Sequence, residues 1–352
     1  MKIILAGGGT GGHVIPALAV ANELRAAGHK VAFVGTTRGI ETRLVPQAGY
    51  PLYLVNVGAL NRVSLMTRLR TMLRLPISIL SAARVLLGFG THVVIGVGGY
   101  AAGPATMAAV LLRIPVVLFE PNVVPGFANR KVARFAANAG VQFEQAGKWF
   151  PRHEVTGIPV RPAFFNLPPR KSPAPSLLAF GGSQGARALN RILCESAAAL
   201  LQRVPGLRIV HQTGPREFEE VKAAYAASKI PVEVSAFIDD MAQSFADADL
   251  IVCRSGASTV AEIAAAGKCA LFVPFPGAAD DHQLRNAELL ASQGAALLIP
   301  ENDLTPARFV EEVAALLASP GRMAQMGSRS RQLAHPDAAA HLARMAIAAA
   351  NR

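Results

Sequence analysis

The chain has 352 residues, 51% of them hydrophobic and 16% charged, with a formal net charge of +12. At roughly 100–200 residues per domain this predicts two domains, each with its own core, and so apolar a composition excludes intrinsic disorder. Cys194, Cys253 and Cys269 are scattered, without a CxxC, which excludes a disulfide scaffold and gives no metal-ligand spacing. The charge is uneven. Residues 1–160 hold 16 Lys/Arg against five Glu and no Asp, whereas residues 161–352 hold 19 basic against 18 acidic residues. A basic half implies an anionic partner: a phosphorylated substrate, an anionic lipid surface or nucleic acid.

The N-terminus lacks the apolar core and cleavage site of a secretory signal. Residues 2–6 predict a strand ending at Gly7-Gly8-Gly9-Thr10-Gly11-Gly12, followed by a helix to Gly28 and a second strand at 31–34. The order recurs with strands at 93–97, 115–119, 177–180, 250–253 and 270–273. Continuous apolar strands alternating with helices predict parallel sheets covered on both faces. The uncharged stretch 93–112 is long enough to span a bilayer, but its glycines and Pro104 make it a strand, a turn and a helix instead. Six prolines between Pro159 and Pro175 predict an extended linker. The fold class is therefore α/β: two doubly wound Rossmann-like domains, 1–160 and 161–335, facing a cleft, with a helix at 336–352 packing back on the first.

Gly7-x-Gly9-x-x-Gly12 fits the GxGxxG pattern, whose glycines let a diphosphate approach a helix N-terminus. A dinucleotide site also needs an acid about 20 residues on to hold a ribose. The second strand runs into Val34-Gly35-Thr36-Thr37-Arg38 with no acid, which disfavours an oxidoreductase. Further loops at Gly98-Gly99, Gly181-Gly182 and Gly256 gather at the carboxyl ends of such strands. The run Cys253-Arg254-Ser255-Gly256-Ala257-Ser258-Thr259-Val260-Ala261-Glu262 is more specific. Its small residues leave room for a phosphate, Ser258 and Thr259 offer hydroxyls, and Glu262 can accept from a ribose diol. The combination describes a nucleoside-diphosphate site.

Over nearly its full length the chain resembles the lipid-linked peptidoglycan N-acetylglucosaminyltransferases, GT-B enzymes of glycosyltransferase family 28. The motifs are Gly8-Gly9-Thr10-Gly11-Gly12-His13, Gly98-Gly99-Tyr100, Glu120 with Asn122, Pro159-Val160-Arg161, Gly181-Gly182-Ser183-Gln184-Gly185-Ala186-Arg187, Phe237-Ile238-Asp239-Asp240-Met241, Arg254-Ser255-Gly256 and Asp281-His282-Gln283 with Asn286. The resemblance implies transfer of N-acetylglucosamine from UDP-N-acetylglucosamine to the C4 hydroxyl of a polyprenyl-diphosphate-linked muramoyl-pentapeptide, with inversion and without a cofactor. It implies that Arg161, Ser183 and Gln184 meet the nucleotide or its phosphates and that Ile238 meets the uracil. It places Ala257, Ser258 and Thr259 at the diphosphate, Glu262 at the ribose and Gln283 at the sugar, with Val260 and Ala261 further substrate-binding positions of the same turn. Thr10, Gly11, Gly12 and Asn122 would close over the donor from the first domain, and Tyr100 is a further substrate-binding position. One loop departs from the family: Phe119-Glu120-Pro121-Asn122 stands where His-Glu-Gln-Asn is common, so only Glu120 and Asn122 carry over.

Attack by a sugar hydroxyl needs a base. His13, where the glycine loop becomes a helix, has an unperturbed pKa of about 6.5 suited to that task, and a capping or orienting role is open beside it. Glu120 is the second candidate. The spacing of Asp247-Ala248-Asp249 is that of metal-dependent transferases, but no ligand cluster accompanies it, and the leaving diphosphate can be met by the 258–259 helix start and an Arg. Residues 42–119 hold seven Arg and no acid. Leu65, Met66, Leu69, Met72 and Leu73 fall on one helical arc flanked by Arg68, Arg70 and Arg74. That arc suits either an anionic membrane surface or a core with snorkelling arginines. The resemblance favours the membrane and a peripheral position on its cytoplasmic face. Nucleic-acid binding is disfavoured, because the basic region lacks interleaved stacking aromatics. Another enzyme using UDP-sugars, such as a UDP-N-acetylglucosamine 2-epimerase, would share the donor site but not need the basic face.

Overall fold

A computed structural model describes residues 1–37, 39–57, 65–99 and 101–351, with residues 65–72 described by their backbone alone. The chain divides into two units, Met1–Val160 with His335–Arg352, and Arg161–Ala334. The first unit runs β1 (Lys2–Gly7), α1 (Gly11–Ala26), β2 (Lys30–Gly35), α2 (Glu41–Gln47), β3 (Leu52–Leu54), α3 (Leu65–Phe89), β4 (Val93–Gly98), α4 (Ala102–Leu111), β5 (Val116–Glu120), α5 (Phe127–Val132), β6 (Asn138–Val141) and β7 (His153–Val155). Among the described residues its sheet is parallel, in the order β3-β2-β1-β4-β5-β6-β7.

The second unit runs α6 (Pro162–Phe165), β8 (Ser176–Phe180), α7 (Arg187–Arg203), β9 (Arg208–Gln212), α8 (Phe218–Ser228), β10 (Val232–Ser235), α9 (Met241–Asp247), β11 (Leu250–Cys253), α10 (Ala257–Ala266), β12 (Cys269–Phe272), α11 (His282–Ser292), β13 (Leu297–Leu298), α12 (Pro306–Leu317) and α13 (Pro320–Arg331). Its sheet, also parallel, has the order β10-β9-β8-β11-β12-β13. The final helix, α14 (Ala338–Ala350), returns to the first unit, where Leu342, Ala343 and Ala346 are buried against α1 and β4–β6.

Apolar runs make the central strands. Ile3, Ile4 and Leu5 are wholly buried, as are Leu250, Ile251 and Val252, because helices cover both sheet faces. On α7 the buried positions Leu189, Ile192, Leu193, Ser196, Ala197 and Leu200 follow a 3.6-residue period. The uncharged stretch 93–112 resolves into β4, a glycine turn and α4. No helix among the described residues is long and apolar enough to cross a membrane.

In each sheet the chain winds outward in both directions from two central neighbours, β1 and β4 in one, β8 and β11 in the other. Such switch points are where open α/β sheets bind ligands. The loop after β8 packs on the loop after β9: a Cβ at Gly185 (φ +74) would overlap the Thr213 carbonyl oxygen. Gly206 has the same conformation (φ +75) but nothing within 4 Å of a Cβ. Alanine at either position pays about 1 kcal/mol for the left-handed backbone. Gly185→Ala should then lose more than about 2 kcal/mol in denaturant titration, since a backbone oxygen cannot move aside, and equal losses at the two sites would sink this account of the packing.

Candidate functional site

The glycine loop of the first unit lies at its switch point. The β1–β4 register shifts at Gly7, where the strand gives way to the loop. Gly99 (φ +81) lies so close to the Gly8 carbonyl that a Cβ would overlap it, and a Cβ at Gly98 (φ +88) would fall 3.0 Å from His13 Cε1. The His13 imidazole thus rests on the glycine turn after β4. Its own N–H and that of Val14 donate to the Thr10 carbonyl, opening α1. Thr10 is exposed, whereas Gly11, Gly12 and His13 are half-buried. Tyr100 lies outside the described residues, as do the side chains of Leu65, Met66, Arg68, Leu69, Arg70 and Met72.

Glu120 ends β5 and is 2% exposed. Its Oε1 accepts from the Asn122 N–H (3.1 Å) and Nδ2 (3.2 Å), and its Oε2 from the Gly126 N–H (3.0 Å) and Asn129 Nδ2 (3.0 Å). A carboxylate has about four acceptor sites, and here the 122–129 segment fills them. Burial pushes the carboxyl above its ordinary range although the four donors oppose that. All four donors come from this one segment, so the carboxyl that the sequence offers as a second base is engaged by its own loop in this structure. It fixes the loop that carries Asn122.

In the second unit, Gly256 caps α10, and Ala257, Ser258 and Thr259 form its first turn, half-buried. Val260 and Ala261 turn into the core, so any contact they make with a ligand is through the backbone. Glu262 follows on the same helix. Arg161 Nη2 lies 3.6 Å from Glu262 Oε1, and its guanidinium stacks 4.8 Å from the ring centroid of Phe164. Burial raises the Glu262 carboxyl to about 7, with Arg161 only partly opposing it. Below this turn, the Ser255 hydroxyl donates to the Gln283 carbonyl (2.8 Å), and Asn286 Nδ2 donates to the Ser255 carbonyl (3.3 Å). The Phe275 N–H donates to Gln283 Oε1 (3.0 Å), which orients the amide group of Gln283. His282 Nδ1 instead lies 2.7 Å from the Ala279 carbonyl.

Ser183 and Gln184 are exposed in the loop after β8. Ile238, in the loop after β10, lines a cavity of about 300 Å³ with Leu178, Val210, Ser235 and Phe237. Arg254 is not directed to a phosphate: its Nη1 donates to the Val273 and Pro274 carbonyls (both 3.0 Å) and pairs with Glu301 (2.6 Å). The two carboxylates of the DxD pattern anchor the proline-rich linker. Asp249 takes a bidentate fork from Arg170 (2.5 and 2.8 Å) and the Ser176 N–H, and Asp247 takes the Lys171 N–H. Asn129 and Glu41 were not singled out in the sequence, and Ser255 was read there only as a small residue of its turn. Only Glu41 had a signal there, being an acid six residues beyond β2.

Two parallel α/β units with glycine loops at their switch points match the two-domain GT-B fold. The glycosyltransferase family 28 N-terminal domain matches residues 3–141 and the family 28 C-terminal domain matches residues 176–342. The UDP-N-acetylglucosamine–N-acetylmuramyl-(pentapeptide) pyrophosphoryl-undecaprenol N-acetylglucosamine transferase of Solibacter usitatus is 48% identical, over 96% of this chain and 93% of its own. The crystal structure of MurG from Acinetobacter baumannii aligns with a TM-score of 0.82 at 34% identity, over 99% of both chains. A UDP-GlcNAc 2-epimerase from Neisseria meningitidis, at 15% identity and a TM-score of 0.70 over 99% of this chain and 100% of its own, shares the fold alone. The chain belongs to the MurG family of UDP-N-acetylglucosamine-dependent glycosyltransferases, within family 28.

The raised Glu262 carboxyl has a consequence for stability. Between pH 4.5 and 7 the folded chain holds a proton that the unfolded chain releases, so stability falls as pH rises through that window and levels off above it. Glu262→Gln should therefore be more stable than the wild type above pH 7, by about 3 kcal/mol without ligand. The gap should close below pH 4.5. Melting curves across this range that stay parallel for the two proteins would refute the shift.

Proposed function

We propose that the chain transfers N-acetylglucosamine from UDP-N-acetylglucosamine to the C4 hydroxyl of a polyprenyl-diphosphate-linked muramoyl-pentapeptide, a step of peptidoglycan synthesis. The observation that carries the reading is the Arg161–Glu262 pair behind the N-terminus of α10, in a chain 48% identical to a transferase of that name. The second unit holds the donor. The α10 amides and the Ser258 and Thr259 hydroxyls meet the diphosphate, Glu262 accepts from the ribose, and Ser183, Gln184 and Ile238 contribute to the nucleotide. Gln283, its Oε1 engaged by Phe275, presents its amide N–H groups to sugar hydroxyls.

The first unit holds the acceptor and the base. His13 takes the proton of the C4 hydroxyl as its oxygen bonds to the anomeric carbon. The bond from that carbon to the diphosphate oxygen breaks, UDP leaves as an anion, and the anomeric centre inverts. Arg161 and the positive end of α10 supply the compensating charge. Glu120 serves by holding Asn122 in place. Labelled UDP-N-acetylglucosamine and a short-chain lipid-linked muramoyl acceptor should give a labelled disaccharide, and no transfer would end the assignment. His13→Ala should lower kcat by about 10²-fold or more with little change in donor KM, and Glu262→Ala should weaken UDP binding at least tenfold in calorimetry.

We further propose that the first unit docks on anionic lipid at the cytoplasmic membrane face. Helices α3, α4 and α5 pack in sequence along it. Leu73, Ile77, Leu80 and Leu87 of α3 are more than half exposed. Around α5, exposed Phe127, Phe135 and Trp149 lie beside Lys131, Arg134 and Arg130, at 4.6–5.6 Å from cation to ring centroid. Aromatic rings and cations together suit the lipid interface, with about 1 kcal/mol per basic residue near anionic lipid. Reversing Lys131 and Arg134 to Glu should free the protein from anionic vesicles in sedimentation while UDP binding persists. Equal capture by neutral vesicles would argue against electrostatic docking.

A further inference from the structure

The glycine loop of the first unit already contains an anion. Glu41, at the start of α2, is 1% exposed and reaches back to the loop. Its Oε2 accepts from the Gly9 N–H (2.8 Å), and its Oε1 accepts from the Thr36 N–H and the Thr36 hydroxyl (both 2.9 Å). Three glycines from different segments make the space it fills. A Cβ at Gly8, Gly35 or Gly39 would run into the Glu41 side chain. In nucleotide-binding relatives of this supersecondary unit, the loop amides face a diphosphate and an acid after the second strand faces a ribose. Here the acid folds onto the loop itself, and both of its oxygens are engaged by the chain.

We infer that Glu41 is a positioning residue for the transfer reaction: its carboxylate fills the anion slot of the glycine loop, closes that slot to a nucleotide and sets the backbone that carries His13. The inference rests on the reading of His13 as the base. The route is short and made of contacts. Glu41 holds Gly8 and Gly9, the Gly8 carbonyl lies against Gly99, and the adjacent Gly98 supports the His13 ring. Glu41 touches no reacting atom. Burial alone would raise its pKa, but the hydrogen bonds from Gly9 and Thr36 outweigh that and hold it below the usual carboxylate range. The slot therefore favours the charged carboxylate.

The test uses the full chain, the transfer assay and amide hydrogen exchange over residues 8–13. Glu41→Ala should lower kcat at least tenfold while donor KM and the UDP dissociation constant stay within twofold, and exchange at 8–13 should rise. Added formate, a small carboxylate that fits the vacated slot, should restore part of kcat and part of the protection. Glu41→Gln, whose amide fills the space but sets an N–H group against the Gly9 or Thr36 donors, should lose kcat without formate rescue. It carries the test if the alanine variant does not fold. A kcat within twofold of wild type, exchange at 8–13 unchanged, or a loss of kcat matched by an equal loss of UDP affinity would each overturn the inference. His13→Ala separates the two readings. If it keeps full kcat, the base assignment fails, while exchange and formate protection in Glu41→Ala still decide what Glu41 does.

Discussion

Backbone packed directly on backbone, with no side chain between, shapes the functional end of each unit. In the first, Gly99 lies against the Gly8 carbonyl, and in the second, Gly185 lies against Thr213 and Gly214. These contacts draw neighbouring strand-to-helix loops together at the carboxyl edges of the sheets, where amide groups and helix N-termini are concentrated. Any side chain there would part the loops and displace what they carry: the His13 ring over Gly98 in one case, the Asn190–Thr213 contact at the start of α7 in the other. The glycine runs are thus a packing requirement first, and the chemistry is set on top of it.

The same requirement changes how the charge of the first unit should be counted. Of its five Glu, Glu41 and Glu120 are buried and spend their oxygens on loop amides. Glu144 and Glu154 sit beside His153 and His341. The unit's carboxylates are thus placed on loop amides and beside imidazoles, none of them in an ion pair with its Lys or Arg residues among the contacts described.

The central strands were readable because burial on both faces writes them as unbroken apolar runs: β1, β2, β4, β5, β8, β11 and β12 all lie within a residue or so of the expected positions. The strands β3, β6, β7, β9, β10 and β13, at or next to the sheet edges, were not, being short or partly polar, with their pairing decided by neighbours far along the chain. Motifs placed the glycine loops and the α10 turn, since a tight turn before a helix needs small residues at fixed offsets. Saturation was invisible. Nothing in the sequence says that Glu120 meets four donors, that Arg170 reaches Asp249 across 79 positions, or that Glu41 folds back to Gly9. The search for an acid ended at Arg38, because an acid on the following helix belongs to no strand-end pattern.

Two Arg–carboxylate pairs in the second unit show how differently one chemistry can be used. At Asp249 burial alone would raise the pKa, yet the Arg170 fork at 2.5 and 2.8 Å and the Ser176 N–H hold it below the ordinary value. That pair is satisfied, and it fixes the linker. At Glu262 burial prevails, because Arg161 approaches only to 3.6 Å and no backbone donor helps, so the carboxyl stands near 7. A half-buried acid left short of donors is unfavourable for the empty protein. Two vicinal hydroxyls would complete its hydrogen bonding and favour its charged form, which couples ligand capture to relief of that deficit. In the reading proposed above, the acid short of donors is the one disposed to take a ribose, whereas the well-paired Asp249 has its oxygens engaged by the linker.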